Sequence, residues 1–89
     1  MEIFYTKKFS KDIDSLSHDT KIKKRLLQII EKLQQADFLT EINDVRKIQG
    51  YEEYYRLRVG DYRLGIKVTK DGIEMLRCLH RKDIYKKFP

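Results

Sequence analysis

The chain has 89 residues, with 20 Lys and Arg against 14 Asp and Glu, a formal net charge of +6 and an isoelectric point near 9.5. That length makes one domain, spanning residues 1–89, with a single core and little surplus stability, and the excess of cations favours phosphate backbones or acidic protein partners. A lone cysteine, Cys78, excludes an internal disulfide, and no apolar run approaches a membrane span or a signal peptide, so a cytoplasmic protein without a membrane partner is expected.

Ile3-Phe4-Tyr5 is a short β-prone run that opens the chain. From Lys7 to Leu16, Phe9, Ile13 and Leu16 recur at helical spacing. Ser15 to Asp19 breaks that stripe and offers capping residues to the next helix. From Thr20 to about Asp37, Ile22, Leu26, Ile29, Ile30 and Leu33 trace one helical face, with Lys21, Lys24, Lys32 and Gln35 on the other. Phe38 to Asp44 reads as a connection, and Arg46-Lys47-Ile48-Gln49-Gly50 as a short strand ending at glycine. The last strand, Ile73 to His80, follows an Asp71-Gly72 turn. Its apolar residues, Met75, Leu76 and Leu79, fall on both sides, as in a strand covered on both faces. Arg77 shares its alternation phase with Met75 and Leu79 and is expected to pair with Glu52 or Glu74 or to extend a basic patch. Cys78 reads as a small buried hydrophobe and Asp12 as a solvated helix charge. Arg81 to Phe88 forms a basic, aromatic tail. The order β-α-α-β-β-β predicts an α+β fold: a small, antiparallel-rich sheet with an N-terminal helical hairpin packed on one face.

The most telling stretch is the hairpin from Tyr54 to Val68. Side chains alternate across a strand, so Tyr55, Leu57 and Val59 share one face, and Tyr54, Arg56 and Arg58 share the other. Gly60-Asp61 puts glycine first in a two-residue turn, as type II′ requires. The chain returns with Tyr62, Leu64, Ile66 and Val68 inward and Arg63 and Lys67 outward. The outward face thus gathers permanent cations and a tyrosine, suited to holding phosphate, although a solvated outer face would carry charges too.

Three segments together, Lys47-Ile48-Gln49-Gly50, Tyr55-Arg56-Leu57-Arg58-Val59-Gly60-Asp61-Tyr62-Arg63-Leu64 and Leu79-His80-Arg81-Lys82-Asp83-Ile84-Tyr85, resemble the RelE/ParE toxin superfamily of type II toxin–antitoxin systems, in its RelE-like branch. Length, element order, charge and helical hairpin extend the resemblance over the whole chain. It implies a toxin that enters the ribosome and cuts the bound mRNA, neutralised by a cognate antitoxin protein. The cut is an in-line attack by a ribose 2′-hydroxyl on the adjacent phosphodiester, without a metal. Such a reaction needs a base for the 2′-hydroxyl, cations for the phosphorane, an acid for the 5′-oxygen and a ring to hold a nucleotide in line.

Carried onto this sequence, the resemblance implies catalytic roles for Arg63 at the scissile phosphate and for Arg81 as a phosphate ligand or proton donor. Tyr85 corresponds to the aromatic that stacks on a base or orients the hydroxyl. His80 stands where the YafQ-like members use histidine in acid–base work. Arg56 and Arg58 match a basic pair that binds RNA phosphate, with Tyr54 and Lys67 on the same outward face. That pair is often lysine in RelE itself. Arginine keeps its charge, so the base role shifts towards His80 or Glu53, or the enzyme is left slow. Two separated histidines and one thiol give no ligand spacing, so neither a metal nor a small-molecule cofactor is expected. The same superfamily includes ParE-like gyrase inhibitors without catalysis, and a degenerate toxin kept as a partner-binding module also fits; both alternatives stay open.

Overall fold

A computed structural model describes residues 1–16 and 18–89; Ser17, within the capping segment, lies outside the described residues. The elements are β1 (Ile3–Tyr5), α1 (Lys7–Asp14), α2 (Thr20–Gln35), a single 3₁₀ turn (Leu39–Glu41), β2 (Val45–Lys47), β3 (Tyr54–Val59), β4 (Tyr62–Thr69), β5 (Gly72–His80) and α3 (Arg81–Lys87). The strands form one sheet in the order β1-β5-β4-β3-β2. The β1–β5 pair is parallel and every other pair is antiparallel, so the expected antiparallel-rich α+β fold is a mixed five-stranded sheet.

The inner face follows from the predicted alternation. Phe9, Leu16, Leu26, Ile30 and Leu33 of the helical hairpin pack on Leu57, Val59, Leu64, Ile66, Ile73 and Met75 of the sheet. Thr6 caps α1 by accepting the Phe9 N–H at 3.2 Å, and Asp19 caps α2 by accepting that of Ile22 at 3.2 Å. No helix among the described residues is long and apolar enough to cross a membrane.

Four expectations change. The strand expected over Arg46–Gly50 is β2, which ends at Lys47, and Gly50 takes a left-handed φ of 84°. The turn between β4 and β5 is Lys70-Asp71, with Thr69 opposite Gly72, so the glycine already belongs to the strand. A Cβ on Gly72 would lie 2.2 Å from the Glu2 carbonyl oxygen, which accepts the Ile73 N–H where β1 joins the sheet; this close approach explains the glycine.

In β5 the register shifts: Ile66 faces Met75 while Gly65 faces Arg77, leaving Leu76 as the extra residue of a bulge. Arg77 and Leu79 therefore lie on the face opposite Met75, and Cys78 turns inward to face Leu64. The blurred alternation of Leu76 and Leu79 nevertheless reflects a second, smaller core on the outer face. There Ile48, Ile84 and Phe88 pack with Tyr54, Leu76 and Leu79.

The expected tail is a helix. Seven residues are too few to hold a helix alone, so α3 depends on burying Ile84 and Phe88, one turn apart, against the sheet. His80 caps it, its Nδ1 accepting the Lys82 N–H at 3.2 Å. Phe88 rests on Gly65, where a Cβ would come within 2.8 Å of the ring. The outer face is thus divided: α3 covers one half and leaves the other bare.

Candidate phosphate-binding site

The bare half is a cavity of about 390 Å³ lined by Asp44, Arg46, Arg56, Arg58, Arg63 and Tyr85. Strand register builds it: Arg46 of β2 stands opposite Arg56 of β3, and Arg58 opposite Arg63 of β4. Gly60 makes the tight return between the last two possible with φ 59°, while Asp61 keeps an ordinary negative φ, the expected type II′ pattern. Arg63 is steadied by Nη1, which donates to the carbonyls of Gly60 and Tyr62 at 2.9 Å each. The Arg56 guanidinium lies 4.5 Å from the centre of the Tyr85 ring, brought over the sheet by α3.

Like charges placed opposite one another on a sheet disfavour pairing. None of the four guanidiniums has a carboxylate at ion-pair distance, because the only ion pair among the described residues joins Arg77 to Asp12. A polyanion entering the cavity would relieve that repulsion. Four permanent cations beside an exposed aromatic ring can bind a phosphate and present a face to a base.

A family model for the ParE toxin of type II toxin–antitoxin systems matches residues 3–85. The chain belongs to this family of toxins. It is 44% identical to Toxin RelE3 of Methanocaldococcus jannaschii over 90 residues, covering the full length of both. A chain of the RelB–RelE antitoxin–toxin complex from Methanococcus jannaschii superposes with a TM-score of 0.80 and 44% identity, over 97% of this chain and 99% of that one. A chain of the archaeal RelE–RelB complex from Pyrococcus horikoshii superposes at 0.70 with 27% identity, over 90% and 93% of the two chains. The resemblance read from the hairpin and the Leu79–Tyr85 segment is borne out at the level of family and fold.

The toxin's other sequence-predicted site residues lie apart from the cavity lining. Tyr54 and Lys67 face each other across β3 and β4, with Lys67 Nζ 5.5 Å from the Tyr54 ring centre. Tyr54 also meets Phe88, with 5.9 Å between ring centres, and belongs to the small apolar cluster under α3. His80 stacks edge-on to Tyr62 at 5.5 Å between ring centres, and Arg81 is exposed in the first turn of α3, its N–H donating to the Asp61 carbonyl at 2.8 Å.

Arg77 joins neither Glu52, Glu74 nor the patch. Its Nε donates to Asp12 Oδ2 at 2.8 Å and its Nη2 to Oδ1 at 3.1 Å, so Asp12 is a structural partner rather than a solvated charge. The Cys78 N–H donates to the same Oδ2 at 3.0 Å, at the edge of β5 that β1 no longer covers. The bonds to Asp12 raise the Arg77 pKa above its ordinary value, with burial opposing only in part. Burial, helped by the nearby Asp12 charge, pushes the Cys78 thiol up to about 12, which fits its reading as a small hydrophobe. Asp44 and Arg46 are the cavity residues that sequence reading missed. Arg46 could have been found by pairing β2 against β3, whereas Asp44 carried no periodic signal.

Proposed function

We propose that this toxin is a metal-independent endoribonuclease that cuts mRNA on the ribosome, in the cytoplasm, and is silenced by a cognate antitoxin. The observation that carries the reading is the arginine cavity with Tyr85 at its rim. Arg63, fixed by two backbone carbonyls, holds the scissile phosphate. Arg56 and Arg58 neutralise charge that develops on the phosphorane. Tyr85, exposed and backed by Arg56, stacks on a base and fixes the nucleotide for in-line attack. His80 acts as a positioning residue by capping the helix that carries Tyr85, and Arg81 on the first turn of that helix receives a flanking phosphate.

An acidic antitoxin segment laid over Arg56, Arg58 and Arg63 would neutralise the patch and exclude RNA together. The M. jannaschii and P. horikoshii relatives, both solved with RelB, support such a partner. The test is brief induction in a bacterium lacking the antitoxin, followed by primer extension on an abundant message. New 5′ ends within codons, absent for Arg63→Ala, are the expected result. Growth arrest with intact message would overturn the nuclease reading in favour of a gyrase inhibitor, and no arrest would favour a partner-binding module.

A further inference from the structure

In-line cleavage requires a group that accepts the proton of the attacking 2′-hydroxyl, and the cavity's four arginines cannot, because guanidinium stays charged. His80 lies outside the cavity lining, with Nδ1 already accepting the Lys82 N–H. Glu53 is outside it too, preceding the far end of β3, where its carbonyl accepts the Val68 N–H at 2.8 Å. The carboxylate among the lining residues belongs to Asp44.

Asp44 sits immediately before β2 with φ 62°, and its carbonyl accepts the Arg58 N–H at 3.3 Å, pinning it beside the basic strand. It lines both the arginine cavity and a neighbouring cleft of about 300 Å³ between α2 and the hairpin. The groups around it are Arg46 of β2, Arg56 and Arg58 of β3, Arg63 of β4, Tyr85 of α3, and Arg25 and Lys32 of α2. None of these cations forms an ion pair with it.

We propose that Asp44 is the general base of the cleavage reaction. The inference rests on the nuclease reading and supplies the group that reading lacks. The proton passes from O2′ to the Asp44 carboxylate, and the O2′–P bond forms as the P–O5′ bond breaks. O5′ takes a proton from water, and the resulting hydroxide is neutralised by the proton that Asp44 then releases. The products are a 2′,3′-cyclic phosphate and a 5′-hydroxyl.

Asp44→Asn keeps the shape and the tolerance for left-handed backbone while removing the basic oxygen. On ribosomes programmed with a defined message, kcat should fall by about 10²- to 10⁴-fold. Affinity for the same message carrying a 2′-deoxy nucleotide at the cut should be unchanged or tighter, since a negative charge beside the arginines is gone. Asp44→Gly, which relaxes the backbone, should be equally slow. Wild-type rates in either variant, or a loss that tracks weaker binding with kcat intact, would overturn the role of Asp44. Absence of cleavage by the wild type under the same conditions would overturn the nuclease reading itself, and this inference with it.

Discussion

The inner face of β3 and β4 carries Leu57, Leu64 and Ile66, each at most 1% exposed, whereas the outer face of the same strands carries Arg56, Arg58 and Arg63 in an open cavity. Adjacent residues thus work in opposite directions: Leu64 is sealed under the helical hairpin, while its neighbour Arg63 stands opposite another arginine. A sheet can present such a cluster because pairing strength is supplied from its other side. The apolar face holds β3 and β4 together, and the charged face opposes them weakly. The lesson is a division of labour within single strands, and it can be broken one residue at a time.

The largest break is Leu64→Ala. Removing a fully buried Leu should cost about 2–5 kcal/mol, a large share of the stability of a small domain, measured as a lower urea midpoint at unchanged slope. Arg63→Ala, one residue away, should abolish cleavage with a stability loss near 1 kcal/mol, the scale of its lost hydrogen bonds. Equal stability losses in the two variants would end the contrast.

Asp12→Ala should cost about 2–3 kcal/mol, because Arg77 loses its partner and the Cys78 N–H at the strand edge loses its acceptor. Asp12→Asn retains an oxygen for Cys78 and should cost less, so thermal melting of the two variants separates the charge from the edge bond. Nothing in the sequence joins Asp12 to Arg77, 65 positions apart, and the bulge at Leu76 that sets the phase of Arg77 leaves no mark on composition. By contrast, the β3–β4 hairpin was legible because period-two alternation runs through both strands and Gly60 marks the turn between them. Of the site, Arg56, Arg58, Arg63 and Tyr85 were legible as cavity residues. Arg46 needed β2 to be paired against β3, a register that a three-residue edge strand encodes weakly, and Asp44, just before that strand, carried no periodic signal. The helix α3 escaped for a related reason: its stability comes from Ile84 and Phe88 on the sheet rather than from its own seven residues.

Gly65→Ala tests how the covered half of the outer face shapes the open half. The added methyl would collide with the Phe88 ring, so α3 must lift, at about 1–3 kcal/mol, and carry Tyr85 away from Arg56. Cleavage should fall further than stability alone explains. Adding Phe88→Leu, which shortens the colliding ring, should recover part of both losses. If the single variant cleaves normally, the placement of Tyr85 does not depend on that packing.

The smallest effect is the sharpest test of the charged face. Arg58→Gln removes one member of the Arg58–Arg63 cross-strand pair, so the variant should be more stable by about 0.2–1 kcal/mol while cleaving less. Because the repulsion is exposed to solvent, salt screens it. The gain should therefore be largest at low ionic strength and shrink as salt rises, seen as converging melting temperatures. An opposite trend, with the variant less stable at every salt concentration, would mean that Arg58 supports the sheet through its aliphatic stem rather than straining it through its charge. The sign of that one shift decides whether the cluster is tolerated at a cost to the fold or contributes to it.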